Sequence, residues 1–166
     1  MVGEEQYAKW AAYFRARPGA ARAIVGINEW LKYLCYILYP ALLVALAVDN
    51  QLQLLLREIA VPVILFVALS IFRHFFNAPR PYETMQIDPL IHKETRGKSF
   101  PSRHIFSIFM IAMCWLRVFV PIGIALLACG VVMAVIRVVG GVHFPRDVIV
   151  GALIVIAGGI IGLMLY

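Results

Sequence analysis

Five runs of apolar side chains, each about as long as a bilayer is thick, leave this chain few ways to fold. They cover about Trp30 to Val48, Ile59 to Phe76, Ser102 to Phe119, Pro121 to Val139 and Asp147 to Tyr166. A helix of about 20 apolar residues crosses a hydrocarbon core, where every backbone polar group must be bonded within the protein. The expected fold is therefore all-α, a polytopic transmembrane helix bundle of about five spans. Composition agrees: of 166 residues, 63% are hydrophobic and 14% charged, too apolar for an ordinary soluble domain. The length sets a single membrane domain. A net charge of +6 would suit nucleic acid, but the spans leave little polar surface for a groove-reading module. The expected partners are the bilayer and an anionic lipid or phosphate, with no nucleic acid. Cys35, Cys114 and Cys129 each fall inside an apolar run without the close spacing of a zinc site, and read as buried thiols.

Residues 1–29 are the most polar part, with Lys9, Arg15, Arg17 and Arg22 among Tyr7, Trp10, Tyr13 and Phe14. Basic residues interleaved with aromatics suit an interfacial helix lying on anionic headgroups; a solvated arm is the alternative. The segment lacks the apolar core and cleavage site of a secretory signal, so it is expected to stay on the mature protein. The chain accordingly divides into an interfacial segment, 1–29, and a transmembrane domain, 30–166. Asp49, Asn50 and Gln51 form a polar hairpin after the first span, and Pro62 suits the first turn of the second. Pro79 and Pro81 forbid helix beyond it. Residues 77–103 are then a long polar connection, of the kind that is functional or disordered.

Alternation of the spans carries the central inference. The end of the second, the start of the third, the end of the fourth and the start of the fifth share one membrane face. Those ends carry Arg73 and Arg80, then Ser102, Arg103 and His104, then Arg137, then His143 and Asp147. The opposite face has only Asp49, Arg57, Glu58 and Arg117. Ionisable groups beside hydrocarbon are costly and point to function, and snorkelling alone would have spread them over both faces.

The residue types suit phosphoryl chemistry. Arginines form charge-assisted, often bidentate bonds to phosphate oxygens, and Ser102 with the N–H groups of a helix start adds an anion nest. In Val135–Asp147 an apolar run breaks at Gly140-Gly141 and resumes after Pro145. Proline suits a first helical turn, which places Asp147 one turn beyond His143. A carboxylate there can hold one imidazole nitrogen as N–H and leave the other free as nucleophile or base. His143 is thus expected to attack phosphorus while His104 protonates the departing oxygen, with Arg73, Arg80, Arg103, Arg137 and Ser102 on the phosphate. The carboxylates are too few for a two-metal site, and neither metal nor cofactor is expected.

Three stretches carry a resemblance: Arg73-His-Phe-Phe-Asn-Ala-Pro-Arg80-Pro81, Pro101-Ser102-Arg103-His104, and Ile136-Arg137 through His143 to Asp147. In order and spacing this chain resembles the type 2 phosphatidic acid phosphatase family, whose motifs read Lys-x6-Arg-Pro, Pro-Ser-Gly-His and Ser-Arg-x5-His-x3-Asp. The resemblance covers residues 73–147. It implies that His143 forms a phosphohistidine, that Asp147 orients it, that His104 is the acid, and that Arg80, Arg137 and Ser102 bind phosphate. Arg73 replaces the motif lysine, Arg103 the glycine and Ile136 the serine. Six spans are common in the family, so the N-terminal helix is expected to stand in for one.

The implied activity is hydrolysis of a lipid phosphate or isoprenoid diphosphate. An undecaprenyl carrier, phosphatidylglycerol phosphate and phosphatidic acid fit equally, and the oligomeric state is open. A vanadate-binding haloperoxidase-like enzyme and a non-catalytic phospholipid- or anion-binding protein are the alternatives. His74 and His92 are expected to take no part in chemistry, while Lys98 and Ser99, just before the second motif, either touch the headgroup or are merely solvated. Gly151, Ala152, Ala157, Gly158, Gly159 and Gly162 are expected to allow close helix packing. Lys9, Arg15, Arg17 and Arg22 outweigh Arg57 and Arg117, which favours the cytoplasmic face for the N-terminus and the site of this multi-pass cell-membrane protein. The resemblance implies the other face, since many family members have outward-facing sites, and a buried N-terminal helix acting as a sixth span would restore that orientation.

Overall fold

A computed structural model describes residues 2–165. The order is α1 (Glu4–Arg15), α2 (Pro18–Val48), α3 (Leu52–Phe76), a single turn α4 (Pro81–Thr84), α5 (Arg103–Val118), α6 (Val120–Val139) and α7 (Pro145–Gly159), with α7 passing into a π-helical turn over Ile160–Met164. No strand occurs among the described residues. The all-α bundle is the observed fold.

The N-terminal half departs from the expected boundaries. Helix α2 begins at Pro18 instead of near Trp30, so the segment 1–29 comprises α1 and the first turns of α2. Hydropathy marks where a helix becomes apolar, not where it starts, and the alanine-rich stretch after Pro18 contains nothing to stop a helix. The joint falls at Arg17, whose φ of −127° and ψ of 83° are non-helical, as a residue before proline prefers. At 31 residues α2 is about 46 Å long, so its first turns clear a hydrocarbon core of about 30 Å. Helix α3 likewise starts at Leu52, not Ile59, which puts Pro62 inside it; transmembrane helices tolerate such prolines where neighbouring groups satisfy the freed carbonyl.

Among the described residues, four stretches are long and apolar enough to span a membrane: Gly19–Val48, Leu52–Thr84, Val120–Val139 and Pro145–Met164. The expected third span, α5, has only 16 residues and rises about 24 Å. It is the centre of the bundle, with Ile105, Phe106, Ile108, Met110, Ala112 and Cys114 almost wholly buried, and it packs chiefly on α6 and α7. Protein, not lipid, surrounds it, so it need not match the bilayer by itself. Side chains such as Ile37, Val44, Ile64, Ile71, Ile149 and Leu153 stay exposed on α2, α3 and α7, forming the lipid-facing exterior.

Small residues on α7 sit where close approach needs them. A Cβ on Gly158 would lie 2.7 Å from Leu65 Cδ1, one on Gly162 2.7 Å from Val61 Cγ1, and one on Gly151 3.0 Å from the Ser102 carbonyl oxygen. The last contact brings α7 against the start of α5, at the ionisable end of the bundle.

The connection 77–102 is folded down onto that end. Leu90 and Ile91 are buried with Val142, Ile136, Ala11 and Ile24, and the Ile91 N–H donates to the Gly140 carbonyl at 3.2 Å. Glu83 accepts from the N–H groups of Arg80, at 2.8 Å, and Gly97, at 2.8 and 2.9 Å. Gly97 has φ +63° and packs against the Asn77 side chain, a left-handed conformation that suits glycine. Helix α1 joins the same cap through Arg15, which bonds the Asp88 carbonyl at 2.9 Å and its carboxylate at 2.6 Å.

Candidate active site

Arg73 lies in the last turn of α3, which Asn77 ends in a left-handed conformation with φ 41° and ψ 41°. Arg80 is extended, with φ −96° and ψ 163°, as its position before Pro81 dictates. Both side chains are turned inward and buried. Arg73 donates from Nη1 to the Ser99 carbonyl at 3.2 Å and from Nη2 to the Lys98 carbonyl. Arg80 donates from Nε to the Gly97 carbonyl at 3.1 Å and from Nη1 to the Val142 carbonyl at 3.0 Å. The loop carbonyls thereby aim the two guanidiniums, one of them at the strand of chain that carries His143.

Arg137 projects from the last turn of α6 and is 2% exposed. Its Nη1 donates to Asn28 Oδ1 at 3.2 Å, while Nε and Nη2 are buried without a hydrogen bond among the described residues. The Ser102 hydroxyl, at the N-cap of α5, is also buried without one. Leaving such donors unmet costs about 1–3 kcal/mol each, more for a charged group. These open donors are where an anion would be accommodated. Arg103 instead lies exposed in the first turn of α5. With the half-buried His104 it borders a cavity of about 250 Å³ whose other walls include Lys32, Phe66, Ser107 and Met133.

His143 follows a tight turn in which Gly141 has φ +77°, a conformation suited to glycine. The N–H groups of Val142 and His143 both return to the Arg137 carbonyl at 3.2 Å. The ring is 1% exposed. Burial first, then the charges of Arg137, Arg80, Arg73 and Lys93, hold His143 well below the usual imidazole range, so it is neutral at pH 7 with one nitrogen unprotonated. Asp147, in the first turn of α7, is fully buried. Its Oδ2 accepts from the Phe144 N–H at 3.1 Å and lies 3.4 Å from His143 Nδ1. His104 is near enough to His143 for the two rings to interact electrostatically.

Four participants were not expected from the sequence. Ser99 is completely buried, with its hydroxyl 2.5 Å from Asp147 Oδ2 and 3.3 Å from His143 Nδ1. Tyr7 of α1 donates its hydroxyl to the His143 carbonyl at 3.1 Å; burial, then Asp147, pushes this phenol up to about 12. Asn28 of α2 holds Arg137. Lys93 is pushed down to about 8 by burial and by Arg137, Arg80, Arg103 and Arg73, which places it in the same field of cations. None of these carries a local sequence signal for its role: Ser99 and Lys93 lie in a polar connection, Tyr7 and Asn28 in helices α1 and α2, and each meets its partner only through the fold. His74 and His92 are exposed, away from this cluster.

Known proteins share this architecture. A family model described as PAP2 superfamily matches residues 52–166. YbjG of Escherichia coli (strain K12), which carries the name of an undecaprenyl-diphosphatase, is 32% identical over 146 residues, covering 83% of this chain and 71% of that protein. The crystal structure of Aquifex aeolicus LpxE superposes with a TM-score of 0.73 at 29% identity, over 98% of this chain and 99% of that one. A PAP2-type phosphatidylglycerolphosphate phosphatase from Bacillus subtilis shares the fold, with a TM-score of 0.62 at 20% identity over 96% and 85% of the two chains. Since the match takes in most of the chain and all of the cluster from Arg73 to Asp147, this multi-pass membrane protein belongs to the PAP2 superfamily.

Proposed function

We propose that this protein is a lipid phosphatase that hydrolyses a lipid phosphate or isoprenoid diphosphate through a phosphohistidine on His143. The observation that carries the proposal is the pairing of a neutral, Asp147-backed imidazole with buried cationic and hydroxyl donors that have no hydrogen-bond partner among the described residues. Phosphate oxygens would take up Arg137 Nε and Nη2 and the Ser102 hydroxyl, with Arg73, Arg80 and Arg103 supplying further positive charge. As His143 Nε2 forms the P–N bond, the ester P–O bond breaks and its oxygen takes a proton from His104. In the second half, His104 accepts a proton from water as the oxygen attacks phosphorus and the P–N bond breaks. The arginines stabilise the charge on the equatorial oxygens in both steps.

The His104 cavity adjoins an apolar groove of about 230 Å³ lined by Tyr39, Val63, Phe66, Val67, Phe106 and Met110, the two sharing Phe66 and Ser107. A leaving group protonated by His104 would carry its hydrocarbon tail into that groove. The name of YbjG is consistent with such a substrate.

The test is phosphate release by purified protein in detergent from phosphatidic acid, phosphatidylglycerol phosphate and undecaprenyl diphosphate. Release from at least one, with an acid-labile phosphoryl label that disappears in His143→Ala, is expected. Folded protein that releases phosphate from none of them would overturn the proposal. The same reading favours the cytoplasmic face for the site, because Lys9, Arg15, Arg17 and Arg22 before the first span outweigh Arg57 and Arg117 in the opposite connections.

A further inference from the structure

We propose that Ser99 is a positioning residue for the nucleophile, one that fixes which nitrogen of His143 faces phosphorus and limits how strongly Asp147 draws on the imidazole. The inference rests on the phosphohistidine reading above.

Ser99 ties Arg73, Asp147 and His143 together. Its N–H donates to the Ala78 carbonyl at 2.8 Å, and its own carbonyl accepts from Arg73 at 3.2 Å. Its hydroxyl donates to Asp147 Oδ2 at 2.5 Å and stands 3.3 Å from His143 Nδ1. With the hydroxyl proton committed to the carboxylate, the serine oxygen presents only lone pairs to the ring. Asp147 Oδ2, at 3.4 Å, is also an acceptor. Nδ1 therefore faces two acceptors and no donor, so it must carry the ring proton. The unprotonated nitrogen is then Nε2, as attack on phosphorus requires.

The serine also tempers the carboxylate. Oδ2 already accepts from Ser99 and from the Phe144 N–H at 3.1 Å, and hydrogen bonds to a charged oxygen weaken its pull on a further donor. The charged and titratable groups facing the His143–Asp147 pair are Arg73 from α3, Arg80 and Lys93 from the connection, His104 from α5, Arg137 from α6, Arg146 from α7 and Tyr7 from α1. Among these, Arg146 approaches the other oxygen, Oδ1, at 3.6 Å. A change at Oδ2 would therefore be felt chiefly by His143. Without the Ser99 hydroxyl, Asp147 would bond Nδ1–H directly and stabilise the imidazolium, raising the proton affinity of the nucleophile.

The experiment compares the acid limb of log(kcat/KM) between about pH 4 and pH 9 for wild type, Ser99→Ala, Ser99→Cys and Ser99→Thr, with phosphoryl trapping and thermal unfolding of each. In Ser99→Ala and Ser99→Cys, which lack a strong donor, the limb should move up by about one pH unit. Their kcat should fall about tenfold with KM nearly unchanged. Ser99→Thr, which keeps the hydroxyl, should retain the wild-type limb. If the alanine variant fails to fold, the near-isosteric cysteine gives the same comparison. A folded Ser99→Ala or Ser99→Cys enzyme with an unmoved or lowered limb would overturn the inference, as would a folded Ser99→Thr that titrates like alanine. Absence of a label on His143 in the wild type would instead remove the phosphohistidine reading on which it rests.

Discussion

Tyr7→Phe is the sharpest test of what the N-terminal helix does for the site. Tyr7 is 2% exposed and donates across 136 residues of sequence to the carbonyl of His143 at 3.1 Å. Phenylalanine keeps the ring, and with it the edge-on contact to Trp10 at 5.6 Å between centroids, so the change removes the hydroxyl alone. A neutral hydrogen bond contributes about 0.5–1.5 kcal/mol net, and a buried carbonyl left unpaired costs about 1–3 kcal/mol. If that energy holds the His143 turn in its attacking position, a loss of about 1.4 kcal/mol lowers kcat about tenfold. KM should hold, because Arg73, Arg80 and Arg137 donate their hydrogen bonds to groups other than Tyr7. Single-turnover phosphate release, read together with thermal unfolding, separates the possibilities. A lowered unfolding temperature with unchanged kcat would show that the bond serves stability alone, and a rise in KM at constant kcat would refute the assignment to nucleophile positioning.

Other outcomes follow from the same geometry. Activity should survive excess EDTA and be inhibited by vanadate, which mimics five-coordinate phosphorus; loss with EDTA and recovery with Mg²⁺ would contradict the proposed chemistry. His143→Ala should abolish turnover and covalent labelling, whereas His104→Ala should still be labelled by a substrate whose leaving group needs little protonation. Arg137→Ala should lower kcat/KM about 10²–10³-fold through loss of two donors to the equatorial oxygens, and equal activity with wild type would exclude Arg137 from the phosphate. A cysteine at the exposed His92 position, in a background lacking Cys35, Cys114 and Cys129, should resist a membrane-impermeant thiol reagent on intact cells. Labelling before lysis would put the site on the outer face.

The pH dependence of stability has a definite sign at His143. Its folded pKa is depressed by burial and by the surrounding cations, so the unfolded chain binds the proton more readily. Its contribution is fully present above about pH 6.5 and diminishes as pH falls below that value. Circular dichroism melts across that range, compared between wild type and His143→Asn, isolate the effect. Equal slopes in the two would count against a buried neutral imidazole.

Residue order determined the membrane bundle, because apolar runs of spanning length leave the backbone no other way to satisfy itself in hydrocarbon. It also determined that Arg73, Arg80, Ser102, His104, Arg137, His143 and Asp147 share an end of that bundle, since alternation of spans permits only two faces. Where helices start was less legible. Pro18 and Leu52 begin α2 and α3 ahead of the apolar runs, and the short α5 works as a core helix because neighbours enclose it. The tertiary structure alone decided which residues support His143 and Arg137. Ser99 and Lys93 come from a connection with no periodicity, Asn28 from the N-terminal part of α2, and Tyr7 from a helix far away in sequence. Nothing local marks such residues, since a hydroxyl or an amide acquires its role only when packing buries it within about 3 Å of a partner that would otherwise be left unpaired.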